Sequence, residues 1–346
     1  MAKKPLDGCN FKAEANRLKT APPERLYFIY GPEDYLTQYY LDTLRNTVIP
    51  EGDNGFSLKR FDGPEINAIA LQSAIDTLPF ISERTFVELH NIDLNKLSNA
   101  DTVIEVLKTI PDYCTVAFIQ DFRFEPDKRL KIIKFLTEKG HAVCLTDQEA
   151  YALISWIKKR FKAAGKDIDD KACEHLMFTS GTLMNRLIPE IDKLAGYSKG
   201  DTVTIEDINA VANRIPEADI FDMINSLSAK NYDAALQKIA DLLSNKDNEP
   251  IGILAMISYQ FRRLYGIKLV LSRGGGYSEV GELLNTNWSK LINENIALAR
   301  GFKLSELKYA LSKCAETDYK MKSTGLDGFN LLKDFVLSLI IEEQHE

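Results

Sequence analysis

The sequence predicts an α/β N-terminal domain built on a parallel sheet, followed by two all-α domains. Two observations carry that reading. Up to Thr146, five apolar, strand-like runs alternate with helical patterns, and strands interleaved with helices form a parallel sheet with helical crossovers, the doubly wound class of folds. Beyond Thr146 the strand signal disappears and helical periodicity takes over, broken by the linker-like Arg214-Ile215-Pro216. The expected divisions are 1–147, 148–213 and 214–346.

In chain order, Phe11, Ala15 and Leu18 recur at helical spacing over Phe11–Lys19, and Ala21-Pro22-Pro23 leads into the opening strand. The stretch Arg25–Leu41, RLYFIYGPEDYLTQYYL, reads as strand, loop and helix. In nucleotide-binding α/β domains a phosphate-cradling loop sits at this place, because backbone N–H groups and the following helix N-terminus attract anions. Here the loop is Gly31-Pro32-Glu33-Asp34, with no Lys, no second Gly and two carboxylates where phosphate would lie. Like charges repel in a desolvating site, so the loop is expected to be an acidic helix start, Asp34 capping and Glu33 complementing the dipole of a helix over Tyr35–Val48.

After the loop at 50–55, a second strand is predicted at Phe56–Phe61, ended by Asp62-Gly63-Pro64. A helix over Glu65–Thr77 carries Ile66, Ile69, Ala70, Ala74 and Ile75 on one face. Further strands are predicted at Thr85–Leu89, Cys114–Gln120 and Ala142–Leu145, with helices at Asn99–Ile110 and Asp127–Lys139 between them. Helical patterns then occupy 149–164, 169–179, 183–195 and 205–212, and again 218–229, 231–244 and 250–272, with more helix after Gly274-Gly275-Gly276.

Composition narrows the function classes. Hydrophobic content of 45% and charged content of 27% suit a globular protein, and a formal charge of −7 argues against tight autonomous binding to nucleic acid. Five cysteines, Cys9, Cys114, Cys144, Cys173 and Cys314, lie far apart without a C-x-x-C pair, a pattern of reduced intracellular thiols and not of a disulfide framework or zinc site. MAKKPLDGCN lacks the apolar core of a signal peptide, and the longest apolar run, Ile251–Ile257, is too short for a bilayer. A cytoplasmic location is expected.

No catalytic, cofactor or metal residues are expected. His90, His141, His175 and His345 lack metal-ligand spacing, and the pairs Asp169-Asp170 and Glu206-Asp207 open predicted helices, where the dipole favours them. Lys158-Lys159-Arg160, with Lys162, is either a solvated run near a helix end or a nucleic-acid contact. Arg262-Arg263 either reaches a partner's carboxylates or lines a solvated helix face. Leu78-Pro79-Phe80-Ile81 is different, since an aromatic and a branched aliphatic side by side in a loop cannot both face the core by periodicity. An apolar knob on a Pro-stiffened loop, with Ser82-Glu83-Arg84 restoring a polar edge, suits insertion into a partner's pocket; the alternative is that both side chains close the bottom of the sheet.

LYFIYGPEDYL, RFDGPE, TLPFISERTFVEL, DIFDMINSLSAKNYDAALQKIADLL and EPIGILAMISYQFRRLYGIKL occur in an order and spacing that resemble the delta subunits of bacterial DNA polymerase III clamp loaders, along essentially the whole chain. The resemblance implies an AAA+-type ATPase-like domain, a small helical lid and a helical collar that holds the loader together. It also implies ATPase inactivity, since Gly-Pro-Glu-Asp replaces the phosphate loop, His90-Asn91 stand where a magnesium-binding acid pair is expected, and Met184 takes the sensor-arginine position. Phosphoryl transfer then lacks its electrostatic support. In the family a hydrophobic pair grasps the sliding clamp, and the matching residues are Phe80 and Ile81, with Leu78 and Pro79 beside them. The implied partners are the clamp, the gamma/tau ATPase subunits and delta-prime through the collar, and primed DNA, with no membrane. Three other readings stand beside this one: an active NTPase with an atypical phosphate site involving Gly31 or Lys59, a delta-prime-type subunit, and a replication scaffold.

Overall fold

The structure, a computed structural model, describes residues 11–49, 56–80, 82–245 and 248–345, with side chains as far as Ile341. It divides into two compact units, the first comprising Met1–Asp147 with Leu183–Asn185, the second Gln148–Thr182 with Arg186–Glu346.

The first unit runs α1 (Phe11–Thr20), β1 (Leu26–Tyr30), α2 (Asp34–Val48), β2 (Leu58–Asp62), α3 (Ala68–Ile75), β3 (Thr85–His90), α4 (Ala100–Lys108), β4 (Cys114–Ile119), α5 (Lys131–Lys139) and β5 (His141–Cys144). The sheet has five strands in the order β2-β3-β4-β1-β5, and every pairing is parallel. All residues of β1, β3 and β4 are buried, the consequence of helices covering both faces. The edge strand β2, LKRFD, has no buried residue. From β1 the chain crosses to β2 at the far edge, and from β4 it passes to β5 on the other side of β1. The carboxyl end of β1 is therefore the switch point where such sheets hold ligands.

In this unit three element starts differ from the sequence reading by two residues or more. The second strand begins at Leu58, because Ser57 and Phe56 form a turn, and Phe56 is exposed. Helix α3 starts at Ala68, since the Asn67 side chain accepts the N–H groups of Ile69 and Ala70 as an N-cap. Ile69, placed above on the inward face, is 81% exposed, because at about 100° per residue it points away from Leu71, Ala74 and Ile75, which face the core. Helix α5 begins at Lys131, because Asp127 instead holds a turn, its carboxylate accepting the Arg129 N–H and guanidinium.

The second unit contains α6 (Ala150–Ala163), β6 (Asp167–Ile168), α7 (Asp170–Ser180), α8 (Met184–Tyr197, of which Met184 and Asn185 group with the first unit), β7 (Thr202–Val203), α9 (Ile205–Val211), α10 (Pro216–Ser228), α11 (Tyr232–Ser244), α12 (Pro250–Ser272), α13 (Tyr277–Leu284), α14 (Ser289–Gly301), α15 (Leu304–Ser323) and α16 (Gly328–His345). The expected disappearance of strand after Thr146 is corrected by β6 and β7, a two-residue parallel pair joining Asp167 to Thr202 and Ile168 to Val203. Lys166 secures it by donating to the carbonyls of Ser198 and Gly200. Pro216 is already the first residue of α10, a position where its fixed φ and missing N–H cost nothing. The helices from α10 onward bury a common core including Met223, Ile239, Ile257, Phe261, Leu307 and Phe335. Inside it the Gln260 amide donates to Asn295, which is fully buried.

Candidate functional site

Two ends of the parallel sheet are candidates, and their chemistry differs. At the carboxyl end of β1, Gly31 has φ +134°, and a Cβ there would lie 2.2 Å from the Leu145 carbonyl oxygen. The loop is thus pressed against the segment leaving β5, and the Glu33 N–H donates to that same carbonyl at 3.2 Å. An amide that could have met a phosphate is already committed. Glu33, expected to complement the helix dipole, is fully buried, and Asp34, expected as the cap, is instead the first residue of α2, with Glu33 at the cap position and no side-chain capping bond. The Glu33 carboxylate instead accepts the Met184 N–H at 3.2 and 3.3 Å. Burial pushes the Glu33 carboxyl up to about 7, and Asp147 and Asp34 add to the rise while the Met184 N–H opposes it. The position where an anion would bind carries a buried acid of the chain's own.

On β3, where metal-binding acids were sought, Glu88 is fully buried. Its carboxylate lies 2.8 Å from an Arg45 nitrogen and 2.9 Å from His90 Nε2. Burial pushes its pKa up, but His90 and Arg45 outweigh that and hold it below the usual range. His90 is thus hydrogen-bonded to the buried carboxylate that Arg45 pairs with. Asn91, just past the strand, adopts a left-handed φ of 57° and donates to Asp62. Lys59 lies on β2, three strands from β1, or about 14 Å at the usual strand spacing.

The amino end of the sheet carries the apolar loop between α3 and β3. Phe80 is 92% exposed and Leu78 71% exposed, with Pro79 half-buried between them. Ile81 lies outside the described residues. Behind the tip the chain is tied down. Arg84 donates to the Pro23 carbonyl at 3.1 Å and the Asp112 carbonyl at 2.6 Å. Ser82 Oγ lies 2.6 Å from both Ser57 Oγ and the Arg84 carbonyl. The sequence reading had made Ser82-Glu83-Arg84 a polar edge. Of the three only Glu83 is exposed, while Ser82 and Arg84 are half-buried and turn back onto the sheet's lead-in segments.

With this geometry in place, the comparisons with known proteins decide the family. Residues 27–146 match the family described as DNA polymerase III, delta subunit, and residues 217–339 match its C-terminal domain. The chain belongs to the DNA polymerase III delta-subunit family. DNA polymerase III subunit delta of Bacillus subtilis is 28% identical over 333 residues, covering 93% of this chain and 95% of that protein. A probable DNA polymerase III subunit delta of Aquifex aeolicus is 24% identical, covering 94% of each. The solved structure of the B. subtilis DNA clamp loader delta protein YqeN matches with a TM-score of 0.55 at 25% identity, covering 96% of this chain and all of that one.

As a delta subunit, the chain is a component of the clamp loader and of the DNA polymerase III holoenzyme. No helix among the described residues is long and apolar enough to cross a membrane, and they contain no group of acids, histidines and cysteines suited to a metal ion. Cys114, Cys144, Cys173 and Cys314 are buried and form no disulfide among the described residues, whereas Cys9 lies outside them. Of the basic candidates in this delta subunit, Lys158 pairs with Asp170 at 2.5 Å, Arg160 lies over the Trp156 ring at 5.2 Å, and Lys159 is exposed. Arg262 is exposed on α12. Its neighbour Arg263 lies 5.4 Å over the Tyr259 ring, and burial lowers its pKa. The two basic groups stand on separate helices, α6 and α12. What sequence reasoning missed is the set of anchors behind Phe80 and the burial of Glu33, both created by residues far away in the chain.

Proposed function

We propose that this chain is a non-catalytic clamp-loader subunit that binds the ring-shaped sliding clamp through Leu78, Pro79, Phe80 and Ile81 and favours the opened ring. The observation that carries the proposal is Phe80, a phenylalanine 92% exposed on a loop stiffened by Pro79 and tied down at Ser82 and Arg84. An aromatic so placed is an anchor in search of a pocket. Burying Phe80 and one aliphatic neighbour is worth roughly 3–6 kcal/mol before the costs of association, enough to anchor the contact but in need of a polar surround. The subunit shifts the clamp from closed to open only by its differential affinity for the two forms.

Inactivity toward ATP is supported by the collapsed Gly31 loop, the buried Glu33 and the ion-paired Glu88, which leave no cradle, catalytic lysine or metal site at the switch point. Residues 148–213 and 214–346 would then serve as lid and collar, the collar meeting the gamma/tau subunits and delta-prime in the bacterial cytoplasm around primed DNA. Lys158, Lys159, Arg160, Arg262 and Arg263 are the candidates for contacts with DNA or partner subunits. In a pull-down with the cognate clamp, replacing Phe80 and Ile81 together by Ala should remove most of the captured clamp while the purified chain keeps its helical circular dichroism. Undiminished capture would sink the assignment.

A further inference from the structure

The segment that follows Phe80 is tied to the sheet at three separate places. Arg84 reaches the Pro23 carbonyl, just before β1, and the Asp112 carbonyl, just before β4. Ser82 Oγ meets Ser57 Oγ, just before β2. A hydroxyl has one hydrogen to give and a carbonyl can only accept, so at two contacts of 2.6 Å Ser82 donates to the Arg84 carbonyl and accepts from the Ser57 hydroxyl. The next residue is also fixed, Thr85 donating its N–H to the Tyr113 carbonyl at 2.8 Å. On the other flank α3 ends at Ile75, and the Asp76 N–H closes onto the Gln72 carbonyl. The loop tip is thus held between a helix end and a stapled strand start.

We propose that Arg84 is a positioning residue for clamp binding, holding the loop so that Phe80 is presented before the partner arrives. The inference rests on the clamp-binding reading of Phe80 given above. The planar guanidinium fork spans two carbonyls from different segments at once; a lysine, with a point charge on a flexible stem, can serve one of them but not both in a fixed geometry. Neither carbonyl belongs to the loop, so the arginine fixes the loop to the sheet and not to itself. An exposed aromatic that is already held in place loses less conformational freedom on docking, and that saving appears as affinity.

The experiment compares dissociation constants for the purified cognate clamp among the full chain, Arg84→Ala, Arg84→Lys, Phe80→Leu and the double variant Phe80→Leu/Arg84→Ala. Arg84→Ala is expected to weaken binding about tenfold, the scale of one or two side chains that must be ordered on docking. Arg84→Lys should recover part of that loss. In the Phe80→Leu background the same Arg84→Ala change should cost clearly less, because the benefit of positioning depends on what is positioned. Amide hydrogen exchange should quicken over Thr77–Glu83 and stay unchanged in Cys114–Ile119.

Equal losses from Arg84→Ala in both backgrounds would make the arginine an independent contact or a general stabiliser and would overturn the proposal. So would wild-type affinity of Arg84→Ala alongside weakened Phe80→Leu. If Phe80→Leu, and Phe80→Ala measured beside it, both bind like the wild type, the clamp reading itself fails, which is a separate outcome. Should Arg84→Ala not fold, Arg84→Lys and Ser82→Ala carry the same comparison, with the same two results deciding it.

Discussion

Glu33 makes the first unit's stability depend on pH in a direction opposite to that of most carboxylates. Its ordinary value is 4.5 and its value in the fold is about 7. Between those two pH values the unfolded chain has lost the proton and the folded chain keeps it. The folded state therefore binds more protons, and stability falls as pH rises through this window. Each pH unit across it is worth about 1.4 kcal/mol, so the upper limit is about 3 kcal/mol between pH 4.5 and 7. Burial also raises Asp34 and Asp147, which act in the same sense. Glu88 and Glu316 are lowered and lose their stabilising effect only below the ordinary carboxylate range, outside the window. Urea unfolding of the purified chain at several pH values between 5 and 7.5, followed by circular dichroism, reads the slope. Glu33→Gln keeps an oxygen acceptor for the Met184 N–H but cannot ionise, so it should be more stable than the wild type at pH 7.5 and should match it near pH 5. Parallel pH profiles for the two proteins would refute the reasoning.

Two further substitutions test the packing that supports this arrangement. Gly31→Ala places a Cβ 2.2 Å from the Leu145 oxygen at a φ of +134°, and the backbone strain alone should cost at least about 1–3 kcal/mol, visible as a lower urea midpoint. Arg45→Ala leaves Glu88 buried with His90 as its remaining hydrogen-bond partner, and should destabilise by about 2 kcal/mol or more, less than a fully buried pair because the arginine is partly exposed; Arg45→Lys should restore part of it in the same assay.

Much of the α/β unit was legible because its strands are buried on both faces. LYFIY, TFVELH and CTVAFI are continuous apolar or near-apolar runs, and such runs bounded by turns announce themselves. The edge strand LKRFD gives a weaker signal, and its start was misplaced onto Phe56. Strands of two residues, β6 and β7, are too short for any periodicity to register. Ile69 falls outside the buried face because that face is centred on Leu71, Ala74 and Ile75, and the residues before Ala68 that suggest another phase lie outside the helix. At the candidate site the loop itself could be read from Leu78-Pro79-Phe80, but its exposure could not. Periodicity says that an aromatic and an aliphatic neighbour cannot both point inward, and only the fold shows that Leu78 and Phe80 stand out. Glu33 was misread because acidic residues at a helix start normally face water. Its burial depends on Leu145 and Met184, positions that no local pattern connects to it.

Gly31-Glu33 and Phe80 lie at opposite ends of one sheet, and the role proposed for Phe80 is the more direct to measure. Calorimetric titration of the cognate sliding clamp with the wild-type chain and with Phe80→Ala isolates the anchor. A side chain 92% exposed in the free subunit leaves folding stability within about 0.5 kcal/mol when truncated. If it is buried in the complex, its loss costs about 2–3 kcal/mol of binding, roughly 30- to 150-fold in Kd, with a smaller heat-capacity change. Equal Kd and heat capacity for the two proteins, both fully folded, would contradict the account.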